Sequence, residues 1–381
     1  MDFRLTDEQE LMLESVRELC AGFPETYWQE CDANERIPAE FMKAYADSGL
    51  NTLGLPEELG GIPVDNMTVV LARIEMGRMG VPVFACGTGM STLHMIREYG
   101  TPEQMKMCIN KLKLGEHVSA LGSTEAGSGS NTAALATCYE RNDGKIVING
   151  SKTFVTNGGV CEYITVIARN IKTENPRKAF TAFWIPTNTP GISMEHMQKI
   201  GQNYTRTCNV YLDNVTVDES TIIGSEGNAF IQLMKGFENE RLMMCANTLG
   251  PAIAAFEDAA VYACERELFN KRIGEFQMIQ LKLVDMKTKI ENMRNMTYKT
   301  AWMLDEGMSI KSQAAMAKRY CVQTAFEVID DAMQILGGIG YMTDHRVSRF
   351  WRDARFFRMG GGTDEIMATI VGREILKEFS R

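Results

Sequence analysis

Apolar and polar positions along the chain change their period twice. The first third reads as helical. Leu5-Thr6-Asp7-Glu8-Gln9 is a capping box, in which the Thr6 hydroxyl takes the Gln9 amide N–H while the Gln9 side chain reaches back. Thr101-Pro102-Glu103-Gln104 repeats that signal, with Pro102 at the tolerated first helical position. Leu55-Pro56-Glu57-Glu58-Leu59-Gly60-Gly61 breaks the pattern between them. Over 116–225 the period shortens. Lys145–Asn149 alternates as a strand and ends in Asn149-Gly150, a hairpin-turn dipeptide. Tyr163–Ile167 is a β-branched run, and Asn209–Leu212 leads through Asp213-Asn214 to Val215-Thr216-Val217. Strands spaced this way predict a small antiparallel sandwich or barrel. From Gly227 the helical period returns. Phe230, Leu233, Met234 and Phe237 fall at i, i+3, i+4 and i+7. Periodic segments over 249–266, 276–306 and 311–336 then predict a four-helix bundle. The expected fold is mainly α with a central β-domain, divided at 1–115, 116–225 and 226–381.

Composition narrows the function classes. The chain has 381 residues and a net charge of −9, which argues against a nucleic-acid binder with a basic stripe. No apolar run approaches the roughly 20 residues that span a bilayer. Met1 leads straight into Asp2-Phe3-Arg4 without a signal-peptide pattern, so a cytoplasmic location is expected. The ten cysteines are scattered without a C-x-x-C pair, and the four histidines are not paired at metal spacing. Reduced thiols packed as small apolar groups, and no metal, are expected. The 26 methionines read as core filling.

Four segments carry candidate chemistry. Leu121–Asn131 is rich in glycine and hydroxyls, which lets backbone approach a ligand closely, though a surface loop has the same composition. Gly150–Gly158 sets Phe154 and Thr156 two residues apart, a ring to stack and a hydroxyl to bond a ring edge, though ordinary strand packing has the same pattern. Phe237-Glu238-Asn239-Glu240-Arg241 puts Glu240 about 60° from the centre of an apolar helical stripe. A carboxylate there is costly unless it is paired or functional. Gly360-Gly361-Gly362-Thr363 precedes a helix start whose free N–H groups suit an anion, and Gln334–Gly340 is a second glycine cluster at a helix end.

In this order, on a helix–β–helix frame of this length, the segments resemble the acyl-CoA dehydrogenase family over essentially the whole chain. The resemblance implies FAD, a homotetramer built as a pair of dimers, a CoA-thioester substrate and an electron-transferring flavoprotein as redox partner. It implies flavin contacts at Leu121, Ser123, Thr124, Ser130, Phe154, Thr156, Thr363 and Glu365. Arg266, Phe269, Gln277, Gln334, Gly337 and Gly338 match segments that hold the adenine half of FAD across a dimer. The family exchanges a proton at Cα through a carboxylate and a hydride at Cβ through flavin N5. Its usual base is the Glu of a Tyr-Glu-Gly-Thr motif, which here reads Gly360-Gly361-Gly362-Thr363. Gly361 stands where that base is expected. A minority of the family carries the base on the long helix in a Glu-Arg-Leu segment, here Glu240-Arg241-Leu242.

The resemblance therefore assigns Glu240 as the catalytic acid/base. Arg241 would anchor the CoA end or the loop beside it, and Ser130 the CoA chain. Phe237, Glu238, Arg241 and Gly361 are expected near the substrate. Asp364 and Glu365 also read simply as favourable helix-start charges. Losing side chains at 360 and 361 is expected to leave volume beside Cα and Cβ for a bulky acyl head. Phe84, Tyr99, Phe237 and Glu238 are candidates to meet a quaternary cation. Glu30-Cys31-Asp32, Phe256–Ala260 and Ser348–Asp353 resemble family members that reduce crotonobetainyl-CoA to γ-butyrobetainyl-CoA. Ala126 and Asn131 depart from the common family residues Pro and Asp. A short- or branched-chain acyl-CoA dehydrogenase, another 2-enoyl-CoA reductase and a non-catalytic flavin- or acyl-CoA-binding subunit are the alternatives.

Overall fold

Both capping boxes form. In the computed structural model the Thr6 and Thr101 hydroxyls accept the amides of Gln9 and Gln104, whose side chains return to the cap N–H groups. The structure describes residues 4–87, 89–173, 175 and 178–380, so the quoted opening Met1-Asp2-Phe3 lies outside the described residues. These caps start α1 (Asp7–Ala21) and, after α2 (Glu25–Ala33), α3 (Ala39–Asp47), α4 (Asn66–Arg78), α5 (Val83–Cys86) and α6 (Met90–Tyr99), the helix α7 (Pro102–Lys113). The breaker cluster is a single 3-10 turn closed by Gly60.

The middle region is one seven-stranded sheet of β1 (Ala120–Gly122), β2 (Cys138–Asn142), β3 (Lys145–Thr156), β4 (Tyr163–Asn170), β5 (Phe180–Pro186), β6 (Ile192–Met197) and β7 (Thr207–Val217). It is not purely antiparallel, because β1 and β2 both run parallel to β4. The long stretch between Gly122 and Tyr163 supplies the crossover that parallel neighbours need. The hairpin turn is also displaced from its expected place. Asn142 pairs with Lys145, so Asp143-Gly144 makes the turn, with both residues at positive φ. Asn149-Gly150 lies inside β3 at a register shift. There the Asn149 side chain accepts the N–H of Asn214 at 2.7 Å, and β7 runs through Asp213-Asn214 without a break. A Cβ on Gly150 would lie 2.6 Å from the Thr137 hydroxyl, so the position demands glycine for contact rather than for a turn.

The helices resume with α8 (Ala229–Glu265), which continues through Pro251. Two separate segments were expected here. Ala252, Ala254 and Ala255 are fully buried, and that packing outweighs the roughly 3 kcal/mol that an interior proline costs. After a short hairpin of β8 (Glu267–Leu268) and β9 (Lys271–Arg272) come α9 (Gln277–Asp305) and α10 (Lys311–Leu336), with nearly the expected bounds. The short α11 (Gly338–Tyr341), α12 (Arg346–Phe357) and α13 (Asp364–Phe379) follow. One core joins α8, α9, α10 and α12, with α4 of the first region packed into it through Val70 and Ile74. Partly buried ion pairs Arg349–Glu25 and Arg352–Asp32 fasten α12 to α2. None of the ten cysteines is disulfide-bonded, and most are buried in these cores. No helix among the described residues is long and apolar enough to cross a membrane.

Candidate active site

Glu240 lies in the first third of α8, where that helix meets α6. The Ser91 hydroxyl of α6 donates to one carboxylate oxygen of Glu240. Burial among protein atoms raises the Glu240 pKa above the usual carboxylate range, and the Ser91 hydrogen bond and the nearby Arg241 partly offset this. The other carboxylate oxygen faces the glycine run. A Cβ built on Gly361 would lie 3.8 Å from Glu240 Oε1, so positions 240 and 361 border one space.

That space is not empty. Gly361 has φ +62°, and its absent Cβ would fall 2.7 Å from Met244 Sδ and Cε. The absent Cβ of Gly360 would fall 2.7 Å from the Phe356 ring. The volume expected from the glycines is therefore refilled by side chains from α8 and α12. Met244 packs in turn against Val322 and Phe357, with Phe84 and Phe356 beside them. Phe84 lies 5.0 Å from Phe356 and 5.7 Å from Phe357 between ring centroids.

The glycine loop is held from three sides. Arg241, nearly fully buried, points Nε at the Gly361 carbonyl at 3.4 Å. Of its two expected roles, the structure displays the loop contact. Lys318 of α10 is completely buried and donates to the Gly362 carbonyl at 2.7 Å. Burial brings its pKa down to about 8, while Asp364, 3.8 Å away, favours its charge. Asp364 also pairs with Arg358 at 2.8 Å. It is thus a buried anchor and not merely a helix-start charge, whereas Glu365 stays exposed. Thr363 caps α13 by accepting the Ile366 N–H.

A second set of segments converges on β3. A register shift between Lys152 and Val155 puts Phe154 at φ +55° with its ring 64% exposed, and half-buried Thr156 follows on the same strand. The Thr153 N–H donates to the Thr124 carbonyl at 2.9 Å, which ties the half-buried Leu121, Ser123 and Thr124 to that strand. Beneath them Glu125 pairs with Lys152 at 2.7 Å and accepts the N–H groups of Ala136 and Thr137. An outward aromatic ring, a neighbouring hydroxyl and a loop edge pinned beside them fit a flat flavin ring. This platform connects to Glu240. Leu121 pairs with Thr165 of β4, the Thr165 hydroxyl meets that of Thr92 at 2.9 Å, and Thr92 is the neighbour of Ser91.

The remaining expected residues divide by place. Ser130 is exposed on the 121–131 loop. Phe237 and Tyr99 each pack against the cluster between α6, α7 and β5, whereas Phe84 packs against a different one. Glu238 is half-buried, and its carboxyl pKa is raised by that burial. Gln277 begins α9 and Gln334 ends its antiparallel neighbour α10, so both lie at one end of the bundle with Gly337 and Gly338. Arg266 and Phe269 stand at the hairpin before α9, and Phe269 is 88% exposed. A Cβ built on Gly337 or Gly338 would face open space, which fits a ligand or a partner surface. Sequence reasoning missed Ser91, Met244 and Lys318. Lys318 left a signal, a lone cation among Ala314, Ala315, Ala317 and Cys321 on an otherwise apolar face; Ser91 left none.

Comparison with known proteins agrees with this architecture. The profile for the acyl-CoA dehydrogenase N-terminal domain matches residues 6–116, the middle domain 120–215 and the C-terminal domain 228–376. The chain is 50% identical to a probable acyl-CoA dehydrogenase, YdiO, of Escherichia coli K12, across 100% of this chain and 99% of that one. Butyryl-CoA dehydrogenase from Megasphaera elsdenii superposes with a TM-score of 0.92 at 30% identity, covering 99% of this chain and 100% of that one. Glutaryl-coenzyme A dehydrogenase in complex with glutaryl-CoA superposes at 0.93 and 28% identity, covering 99% and 97%. With all three domain profiles matched in order and one relative alike from end to end, the chain belongs to the acyl-CoA dehydrogenase family, FAD-dependent oxidoreductases acting on CH–CH bonds of acyl-CoA.

Proposed function

We propose that this enzyme interconverts a 2-enoyl-CoA and the corresponding saturated acyl-CoA, with Glu240 as the acid/base at Cα. The observation that carries the reading is that Glu240 and Gly361 border one space, so that the carboxylate stands on α8 across from a position that carries no acid, with Met244 packed beside Gly361. FAD supplies hydride exchange at Cβ when bound. Glu240 holds or takes the Cα proton, and its raised pKa suits a group that must do both near neutrality. Ser91 fixes the carboxylate, Arg241 and Lys318 fix the glycine loop opposite, and Phe84 and Met244 keep water from the reacting carbons. Phe154, Thr156 and the 121–124 edge hold the flavin ring, Thr363 and Glu365 its neighbourhood, and Ser130 the CoA chain. Arg266, Phe269, Gln277, Gln334, Gly337 and Gly338 complete the adenine site of a neighbouring subunit.

Crotonobetainyl-CoA is the substrate we favour, reduced with electrons from an electron-transferring flavoprotein in a cytoplasmic homotetramer. The segments Glu30–Asp32, Phe256–Ala260 and Ser348–Asp353 support it, as do the aromatic faces of Phe84 and Phe356 for a trimethylammonium head. The exposed Phe269, Met278, Leu281 and Ile339 at one end of the molecule support self-association. The regions 1–115, 116–225 and 226–381 act as domains that meet at the site. Butyryl-CoA and glutaryl-CoA, named for the two superposed enzymes, are the competing acyl groups. The test is anaerobic flavin bleaching or reoxidation with a panel of CoA thioesters, run on wild type and Glu240→Gln. Yellow Glu240→Gln protein without turnover is expected. Near-normal turnover of that variant would remove Glu240 from its role, and a preference for butyryl-CoA over γ-butyrobetainyl-CoA would replace the substrate.

A further inference from the structure

Arg73 of α4 is 7% exposed and has no carboxylate within ion-pair distance among the described residues. Its Nε donates to the Asn247 side chain of α8 at 3.0 Å, which occupies one of five N–H donors. Of the other buried arginines, Arg349 is clamped by Glu25 and Arg241 lies against the Gly361 carbonyl beside Glu240; the half-buried Arg346 and Arg352 are paired with Asp258 and Asp32. The carboxylates closest in sequence or cavity to Arg73 are engaged elsewhere: Glu75 by Arg17 and Arg78, Glu116 by Lys111. Burial works against the Arg73 charge, opposed only by the nearby Tyr45 and Cys86 side chains and by no carboxylate.

The guanidinium borders a cavity of about 50 Å³, lined also by Tyr45, Asn51, Cys86, Gly87 and His117. By the same measure one water needs only about 10–15 Å³. Gly87 makes room for the guanidinium, since a Cβ there would lie 2.7 Å from a terminal nitrogen. His117 is held neutral, its pKa lowered to about 4 by burial, so it does not supply the missing negative charge. The cavity is close to the reaction site. Asn247 follows Glu240 by seven residues on α8, roughly 10 Å along the axis. Met90, on the cavity wall, precedes Ser91, which holds Glu240.

We propose that this cavity binds a carboxylate, gripped by the terminal N–H groups of Arg73. The carboxylate has two sources. It is either the distal end of the acyl group of a dicarboxylyl CoA thioester, a source that rests on the acyl-CoA reading above, or a free short-chain carboxylate. The first source would displace crotonobetainyl-CoA as substrate, because a trimethylammonium would meet an unpaired buried cation. Glu240 keeps its role under either.

The test uses the FAD-loaded protein and Arg73→Met, which keeps the length and removes the charge. Thermal unfolding is followed at constant ionic strength with propionate and glutarate, and with propionamide as the neutral control. Propionate or glutarate should raise the melting temperature of wild type by about 2 °C at saturation and leave Arg73→Met unmoved. KM values for glutaryl-CoA and butyryl-CoA identify the source. A rise of roughly 10–100-fold for glutaryl-CoA alone in Arg73→Met assigns the acyl terminus. Unchanged KM values with a carboxylate-dependent melting shift assign the free carboxylate. No such shift in wild type together with unchanged KM values, or the same shift with propionamide, overturns the proposal. Gly87→Ala, which displaces the guanidinium and leaves its charge, replaces Arg73→Met should that variant fail to fold. Melting shifts do not need turnover, so they remain readable even if no acyl-CoA bleaches the flavin and the catalytic reading fails.

Discussion

Glu125 and Glu240 are both glutamates drawn into the interior, and their surroundings differ in kind. Glu125 has Lys152 at 2.7 Å and two backbone N–H groups, so its negative charge is fully met and its pKa is held below the usual range. Glu240 has one hydroxyl, a more distant Arg241 and a raised pKa. A carboxylate whose charge is fully met is locked into one state and serves the fold. One whose charge is met only in part stays poised between two states, which is what proton exchange at carbon requires. Under the proposed role of Glu240, the contrast separates a structural carboxylate from a reactive one more sharply than burial does.

The strongest way to break this contrast is to neutralise each carboxyl in turn. Glu240→Gln should lower the flavin bleaching rate by about 10²–10⁴-fold and retain bound FAD. Lys152→Met should act on the other side of the contrast, leaving Glu125 buried without its cation. Denaturant unfolding should then show a loss of roughly 3–5 kcal/mol, with the bleaching rate per folded, FAD-loaded molecule largely kept. Ser91→Ala sharpens the comparison by making Glu240 still less satisfied. Its pKa should rise further, moving the acid limb of the kcat/KM profile for acyl-CoA oxidation to higher pH by up to about one unit. The smallest effect is on stability. Because the folded-state pKa of Glu240 is raised, the folded protein holds its proton longer than the unfolded chain does. Wild type should therefore lose stability relative to Glu240→Gln as pH rises from the ordinary carboxylate range through the raised pKa. Paired melting curves at pH 5 and pH 8 measure it.

Much of this contrast was visible in the order of residues, and the rest was hidden for identifiable reasons. Local signals survived folding. The Thr6 and Thr101 caps depend on neighbours three residues away, and the extents of α9 and α10 depend on a period within one segment. Glu240 stood out because it flanks an apolar stripe. The misreadings came where a distant residue decides the outcome. Asn149-Gly150 has hairpin chemistry, but Thr137 and Asn214 use it to seat a bulge. The glycines at 360 and 361 suggested open volume, but Met244 and Phe356 fill it. Separate periodic segments up to Phe237 and from 249 were expected, but the buried packing of Ala252, Ala254 and Ala255 carries α8 through Pro251. The unpaired charge of Arg73 is invisible without knowing which carboxylates Arg17, Arg78 and Lys111 have already engaged.

The length of α8 has a mechanical consequence. Its 37 residues form a rod roughly 55 Å long that touches α4 and α6, strand β5, and α9, α10 and α12. A rod shared by every layer cannot melt in one region and stay intact in another. Amides of the buried stretch from Arg241 to Ala255 should therefore exchange with deuterium only through global opening, at one common rate limit, while those of the exposed hairpin around Phe269 exchange through local fluctuations. The three regions should then unfold as a single cooperative unit, and Glu240, the carboxylate proposed to handle the proton, rides on the part of the molecule that yields last.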